Sequence, residues 1–325
     1  MINRRNLLQF SMSASASLVL SQALNQKLLA QNTNLAVQNL NSTTAWITGS
    51  GCNVLVKKAA NSELLVVDGG LQTNAAALRS TIERTLDSRR ITTLINTHWH
   101  REQTGLNEDL GNRDTKIFAH ENTRQWLSTS IERPWEDAIF EPLPAQALPT
   151  EIFYHYGNMP HGNDVVEYGY MRQAHTDGDM YIFLPADNVL HTGGIISSDA
   201  WPLMDWWTGG WIGGLVDGIE TLLSIANDST IIVPATGPVM TRAQLVVMRD
   251  MYAQIFASVR ELFMQASNVP ETLAAKPAGT FEAQLGASDM FIELSHWSLI
   301  PHYTPDAWKL SVQILFNEMQ RIQAG

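Results

Sequence analysis

The sequence lacks several features that would point to common classes of protein. It has one cysteine among 325 residues, so it forms no internal disulfide. That residue, Cys52, is predicted to pack as a small apolar side chain, since nothing around it announces a lowered thiol pKa. Only 21 basic residues stand against 32 acidic ones, for a net charge of −11. An acidic chain without a basic stripe is a poor candidate for nucleic-acid binding.

The chain does have enough apolar residues to fold around a core. The hydrophobic fraction is 45%, which suffices for one large domain or two small ones. Short β-branched runs alternate with helical patterns, and the predicted strands include I-T-T-L-I-N, K-I-F-A-H, M-Y-I-F-L-P and S-T-I-I-V-P. Helices are predicted over 71–88, 241–265 and 305–322, whereas 131–149, with four prolines, is predicted to be an irregular connection or a lid. This mixture predicts an α/β (α+β) layered domain.

The first thirty residues differ in composition from the rest. Residues 1–30 carry basic side chains but no acid, and an apolar, Ser/Ala-rich run of about 14 residues follows Arg4 and Arg5. This order is typical of an export signal, and the run is too short for a stable membrane span of about 20 residues. N-R-R-N-L-L-Q resembles a twin-arginine signal, with Asn3 where Ser or Thr is usual. We expect export by the twin-arginine machinery, to the periplasm or otherwise out of the cytoplasm, with no membrane span afterwards. An N-terminal amphipathic helix is the alternative.

One loop carries the first chemical signal. The stretch N-T-H-W-H-R-E-Q-T-G follows a predicted strand and contains His98 and His100. In extended backbone, residues i and i+2 lie on the same side, so both imidazoles can reach one ion while Trp99 points away. Such a pair also arises by chance. The third candidate is His175 in A-H-T-D-G-D, and three neutral imidazoles plus a water form the arrangement of a catalytic zinc site.

Five segments resemble the metallo-β-lactamase superfamily of hydrolases, in that family's order, from about Trp46 to Arg242. They are V-V-D-G-G, N-T-H-W-H-R-E-Q-T-G, A-H-T-D-G-D, V-L-H-T-G-G and V-P-A-T-G-P-V. The resemblance implies a four-layer αββα sandwich with the site at one edge of its two sheets. It also implies a single domain over 31–325 with helices at its C-terminus.

The sequence departs from the family at the second metal site. The family pattern is His-x-His-x-Asp-His, then a further His, a bridging Asp and a final His, and the three histidines already named match its first zinc site. Glu102 stands in place of the first Asp and Gln103 in place of the His after it. Gly194 stands in place of the bridging Asp, and Thr236 in place of the final His. The resemblance therefore implies one Zn²⁺ per chain, not two.

The substituted residues have predicted roles of their own. A single zinc still lowers the pKa of its water towards ~7, but no second ion holds the leaving group. Glu102 is the candidate general base, or else it hydrogen-bonds a histidine ring or backbone and orients it. Gln103 is predicted to make a polar contact at the site and with substrate, because an amide oxygen is a poor zinc ligand. Asp205 remains open as a side chain that reaches the site from its loop.

A tryptophan-rich segment is the predicted substrate side. Residues 201–214 contain four of the chain's ten tryptophans and four glycines. Tryptophan offers a flat apolar face with one donor, and glycines allow the loop to turn tightly or to move. Trp206, Trp207 and Trp211, together with Thr236, are predicted to contact a small-molecule substrate. The alternative is a loop that folds back and packs its own tryptophans.

Two functions follow from these residues. The first is an exported hydrolase whose single zinc activates water for attack on an ester, lactone, amide or related bond. The second is a non-catalytic periplasmic binding or accessory protein on the same fold, with a relic metal site. The three lost second-site ligands favour the second function. The three retained first-site histidines favour the first.

Overall fold

The computed structural model of the protein describes residues 34–133 and 138–303. The predicted export signal over 1–30 and the predicted helix over 305–322 lie outside these residues. Fourteen strands, β1 to β14, and ten α-helices, α1 to α10, are described in this part of the chain.

The larger sheet has seven strands in the order β1-β2-β3-β4-β5-β6-β9. The first four pair antiparallel, and β4, β5, β6 and β9 are parallel. Parallel neighbours require crossover connections, which pass over one face of the sheet. The strands are β1 Ala36–Asn39, β2 Thr44–Thr48, β3 Val54–Lys58, β4 Glu63–Val67, β5 Arg90–Ile95, β6 Lys116–His120 and β9 Glu151–Phe153.

The second sheet has five strands in the order of the sequence. Its first four strands pair antiparallel, and β13 and β14 are parallel. The strands are β10 Tyr156–His161, β11 Asp164–Tyr170, β12 Met180–Leu184, β13 Val189–His191 and β14 Ile231–Val233.

The segment 131–149 is more regular than its prolines suggest. Two strands, β7 Ile131–Arg133 and β8 Ala138–Phe140, pair antiparallel as a separate two-stranded sheet. The prediction of an irregular connection was wrong for these six residues: neither strand contains a proline, so every residue of the pair keeps its backbone donor.

The helices begin and end close to their predicted bounds. The longest described helix was predicted over 241–265 and occupies Arg242–Met264. It begins there because Thr241 and Gln244 form a reciprocal capping box. The helix predicted over 71–88 is shorter, since residues 72–74 form a 3₁₀ turn before it. No described helix is both long and apolar enough to cross a membrane. The helices are α1 Ala75–Thr85, α2 Arg101–Thr104, α3 Asn107–Gly111, α4 Glu121–Leu127, α5 Ile212–Ile225, α6 Arg242–Met264, α7 Val269–Ala274, α8 Glu282–Leu285, α9 Asp289–Ser298 and α10 Ile300–Tyr303.

Alternation along the strands builds four layers. In β3, Val54 and Val56 pack with α1 on the outer face of the larger sheet, while Leu55 packs between the two sheets. In β12, Ile182 faces the space between the sheets and Phe183 packs against the cluster formed with α5 and α6. Since successive side chains of a strand point to opposite faces, each sheet has two buried faces. The predicted αββα sandwich is confirmed.

This layering places the polar loops together. The loops that follow β5, β11, β13 and β14 carry His98, His175, Gly194 and Thr236, and all four residues line one cavity. The sheets thus hold residues distant in sequence at one edge of the sandwich.

Candidate metal centre

The structure brings together the three histidines that the sequence predicts. The ligand atoms of His98, His100 and His175 all lie within 4.8 Å of one another. Their rings meet edge to face in every pair, with centroids 4.6 to 4.7 Å apart. His100 Nδ1 lies 3.0 Å from His175 Nε2. In a tetrahedral zinc site with Zn–N bonds of roughly 2.0–2.1 Å, nitrogens lie about 3.3 Å apart, so the spacing suits one ion.

A hydrogen-bonded chain beneath His98 orients its ring. Thr97 Oγ1 donates to Asp68 Oδ2 at 2.8 Å and lies 3.2 Å from His98 Nδ1. Burial raises the pKa of Asp68 to about 8. When this carboxyl is ionised, the hydroxyl proton goes to it and the hydroxyl oxygen is left to accept from His98 Nδ1–H. His98 Nε2 is buried and has no hydrogen-bond partner among the described residues. Its lone pair is therefore available to a metal.

Asp205 orients the His100 ring. Its Oδ2 lies 2.8 Å from His100 Nε2, and its Oδ1 accepts from the backbone N–H of Thr208 at 3.1 Å. Asp205 is completely buried. Since the carboxylate accepts a hydrogen bond from His100 Nε2–H, the other ring nitrogen, Nδ1, keeps its lone pair. His100 Nδ1 faces His175. A carboxylate that orients a ligating histidine in this way typically strengthens metal binding 10- to 100-fold.

His175 is held through its backbone. Asp179 Oδ2 accepts from the backbone N–H groups of His175 and Thr176, at 2.6 and 2.7 Å. Asp179 Oδ1 accepts from the Thr176 hydroxyl at 3.0 Å. The turn A-H-T-D-G-D thus uses its second acid to fix the loop, not to bind a metal.

The electrostatics keep all three rings neutral near pH 7. Burial lowers the pKa of His98 and His100 well below the usual value, and it lowers the pKa of His175 to about 4. The positive charge of Arg133 lowers each of these pKa values further. A neutral imidazole is the form that binds a metal. The donor set, its orienting hydrogen bonds and the partnerless His98 Nε2 therefore fit a zinc ion.

The cavity above the histidines has a volume of about 240 Å³, and we call it the histidine cavity. Glu102, Gln103 and Thr236 line it, as the sequence predicts for residues at the site. Among the described residues, Glu102 makes no hydrogen bond or ion pair, so its carboxylate is not held away from the cavity. Gln103 is 5% exposed, and its Oε1 is buried without a partner in the described part of the chain.

Arg133 is the charged lining residue that the sequence analysis missed. Arg133 is buried at the end of β7, with its guanidinium carbon 5.1 Å from the Trp99 ring centroid and 4.8 Å from that of Phe140. Trp99 does not line the cavity, but its ring packs edge to face on the His100 ring with centroids 4.6 Å apart, and its Nε1 donates to Thr208 Oγ1 at 3.0 Å. Trp201 also lines the cavity. Nothing in the sequence around Arg133 indicates that it lies at the site. β7 and the rings of Trp99 and Phe140 hold it there.

The other tryptophans of the segment 201–214 lie elsewhere. Trp206 stacks on Trp297 with centroids 6.3 Å apart, and Trp207 packs with the apolar cluster around Trp99. Trp211 stacks on the His302 ring at 3.8 Å. None of Trp206, Trp207 and Trp211 is among the residues that line the histidine cavity. The structure gives their predicted substrate contact no geometric support, and the folded-back alternative describes them better.

The described residues form no second group of three metal-binding side chains. His191 is buried against Asn53 and the backbone N–H of Gly193, which makes it a packed histidine. At Gly194, an added Cβ would lie 2.3 Å from His175 Cδ2 and 2.8 Å from His98 Cε1. The histidine rings thus fill the space next to residue 194.

Comparison with known proteins identifies the family to which the chain belongs. A family model described as the metallo-beta-lactamase superfamily matches residues 47–261. The match covers more than half of the chain, so the protein belongs to the metallo-β-lactamase superfamily. Among curated protein sequences, none matches this chain.

Solved structures agree on the fold. A metallo-beta-lactamase from Pontibacter korlensis aligns with a TM-score of 0.55 and 17% identity, over 68% of this chain and 99% of its own. The DIM-1 metallo-beta-lactamase aligns with a TM-score of 0.53 and 18% identity, over 67% of this chain and 97% of its own. At these identities the likeness establishes the fold, and function has to be argued from the site.

Proposed function

We propose that the protein is an exported zinc-dependent hydrolase with a single metal ion bound by His98, His100 and His175. The observation that carries the proposal is the buried cluster of three neutral imidazoles, two of them oriented by hydrogen bonds to a hydroxyl and a carboxylate. When bound there, zinc supplies the Lewis acidity that activates water for attack on an ester, lactone, amide or related bond.

Glu102 transfers the proton in the proposed reaction, and Arg133 supplies the positive charge that stabilises the reacting substrate. Glu102 lines the same cavity as the three histidines. It takes the proton from the attacking water and returns it to the leaving group, which is the work of a general base and acid. The buried positive charge of Arg133 lies at the same cavity and stabilises the negative charge that develops on the substrate oxygen. Asp205 and Thr97 hold the imidazoles in place throughout.

Export to the periplasm is the second part of the proposal. It rests on the twin-arginine pattern in residues 1–30. Replacing Arg4 and Arg5 with lysines should retain the protein in the cytoplasm, as measured by cell fractionation. Unchanged export of this variant by the same assay would count against the twin-arginine route.

Glu102→Gln tests the catalytic step. The zinc-loaded protein is assayed with p-nitrophenyl acetate, a γ-lactone and a chromogenic β-lactam. Turnover of at least one probe should fall roughly 10²- to 10⁴-fold in the variant, because general acid–base catalysis contributes about that much. Zinc content should stay unchanged, since Glu102 is not one of the three ligands.

Glu108→Gln is the matched control. Glu108 lies in α3, accepts from Gln72 Nε2 at 2.7 Å, and does not line the histidine cavity. Its substitution should leave turnover as in the wild type. A zinc-loaded wild type that turns over none of the three probes would favour the non-catalytic binding protein instead.

A further inference from the structure

One short segment contributes an apolar surface to the histidine cavity. Residues 197–203 supply five of the residues that line it, and these are Ser197, Ala200, Trp201, Pro202 and Leu203. The last four are consecutive and apolar, and we call them the apolar wall. The charged lining residues Glu102 and Arg133 lie on other elements, α2 and β7. The described lining of the cavity is therefore apolar along one segment and charged along others.

The Trp201 ring is held by the helical region at the end of the described chain. Its Nε1 donates to the backbone oxygen of Gly286 at 2.9 Å. The ring stacks on Phe291, with centroids 4.9 Å apart and planes 16° from parallel. Phe291 is itself buried, whereas Trp201 is only partly buried. Because the one donor of the indole is already bonded, Trp201 offers a substrate the carbon surface of its ring.

Hydrogen bonds anchor the apolar wall on both sides to loops at the metal centre. Before the wall, the Ser198 backbone N–H donates to the Thr236 oxygen at 3.0 Å. After it, the Asp205 backbone N–H donates to the His175 oxygen at 3.2 Å, and the Asp205 carboxylate bonds to His100. The wall therefore has a fixed position relative to the histidines, and a surface that is already ordered binds a ligand at a lower entropic cost.

The chemistry of the apolar wall favours one kind of substrate group. The side chains of Ala200, Pro202 and Leu203 have no hydrogen-bonding atom. A polar group placed against them loses water without gaining a partner, which is unfavourable. An apolar group gains roughly fourfold in binding for each methylene removed from water. The cavity volume of about 240 Å³ lies below the roughly 300–1,000 Å³ that is usual for small-molecule sites, so the group is short.

The proposed reaction determines which part of the substrate meets the apolar wall. Glu102 returns a proton to the leaving group, so the leaving group lies beside Glu102. Glu102 belongs to α2 and not to the segment 197–203. The acyl group, on the other side of the cleaved bond, is the part that contacts the apolar wall.

We propose that the apolar wall selects substrates with a short, uncharged, apolar acyl group, and that Trp201 is the residue that determines this specificity. This rests on the proposed hydrolase function and narrows its substrate class to esters and amides of short apolar acids. Trp201 acts by contact with the carbon chain of the substrate and takes no part in proton transfer.

The test compares three p-nitrophenyl esters on the zinc-loaded full chain. They are the acetate, the butyrate and the methoxyacetate, in which an ether oxygen replaces one methylene of the butyrate. Each kcat/KM is divided by the rate of hydrolysis of that ester in buffer, which removes differences in intrinsic reactivity. The butyrate should exceed the acetate roughly tenfold, because two more methylenes are buried, and it should exceed the methoxyacetate by roughly fourfold or more.

Three variants identify the residue responsible. Trp201→Ala should reduce the butyrate-to-acetate ratio towards one while acetate turnover changes little, and Trp201→Phe, which keeps an aromatic ring, should retain most of the ratio. A merely structural role would lower turnover of both esters equally and leave the ratio unchanged. Trp126→Ala is the matched control. Trp126 is also partly buried and donates from its Nε1, to Asp177 Oδ1 at 2.7 Å, but it does not line the histidine cavity, so the ratio should stay as in the wild type.

A binding measurement separates this proposal from the proposed hydrolase. Acetohydroxamic and butyrohydroxamic acids bind zinc through the same head group and differ by the same two methylenes. Acetate turnover with a wild-type butyrate-to-acetate ratio near one would overturn the apolar wall and leave the hydrolase. A roughly tenfold hydroxamate affinity ratio that Trp201→Ala abolishes, without turnover of any ester, would support the wall and reject the hydrolase. Neither turnover nor hydroxamate binding would overturn both.

Discussion

Alanine in place of His98 will remove zinc from the protein. The wild type should bind about one zinc per chain, because a cluster of three imidazoles provides three protein ligands and leaves one position for water. Structural zinc sites with four ligands bind with about 10–16 kcal/mol, so one ligand is worth about 3 kcal/mol or more. That corresponds to a loss of more than roughly 100-fold in affinity, measured by competition with a chromogenic chelator.

The control for this prediction is His155→Ala. His155 is exposed and lies outside the cluster, so its loss should change neither zinc content nor affinity. His98→Gln keeps much of the buried volume and separates loss of a ligand from loss of packing. Full zinc content in both His98 variants would disprove the three-histidine site, and with it the proposed hydrolase.

The sequence predicted which histidines lie together better than it predicted where the tryptophans lie, for a physical reason. His98 and His100 are two residues apart in a short bend directly after β5, so their spacing alone keeps the two rings within reach of each other. The four-layer fold was equally accessible, because residues such as Val54 and Leu55 alternate between two apolar faces. Both results depend on spacing along the chain.

The direction in which a loop side chain points depends on contacts with distant residues, and the spacing of residues along the sequence does not determine those contacts. Trp206, Trp207 and Trp211 lie in one short segment, yet they pack against three different partners. Composition identified the segment, and only the packing of α9 and α10 beside it decided which tryptophan faces the cavity. Arg133 was missed likewise, since its position depends on stacking with Trp99 and Phe140.

The packing of the three histidines around Gly194 also bears on whether a second metal ion can bind. Gly194 stands where the family has a bridging Asp, which suggests that a single substitution would restore a shared ligand. The geometry predicts the opposite, because the first atom of any side chain there would lie 2.3 Å from His175 Cδ2. No pair of unbonded carbons approaches so closely. The rings would have to move.

Gly194→Asp should therefore lower zinc affinity and bind no second ion. Gly194→Ala, which adds only the Cβ, should already weaken zinc binding by roughly 10- to 100-fold, since displaced rings no longer hold their oriented geometry. Zinc stoichiometry by elemental analysis and affinity by chelator competition distinguish the outcomes. Gly279→Ala is the control, because its Cβ would meet only the flexible, exposed Lys276 side chain, at 3.3 Å.

The opposite result would be equally informative. Two zinc ions per chain in Gly194→Asp would mean that the His98 and His175 rings yield easily and that the second site is recoverable. One tightly bound zinc in the wild type and a weakened one in both Gly194 variants would mean that the glycine is required by the single-metal site. In that case the three histidines occupy the space that a bridging carboxylate would need, and the departure from the family pattern at residue 194 is part of how this centre binds one ion.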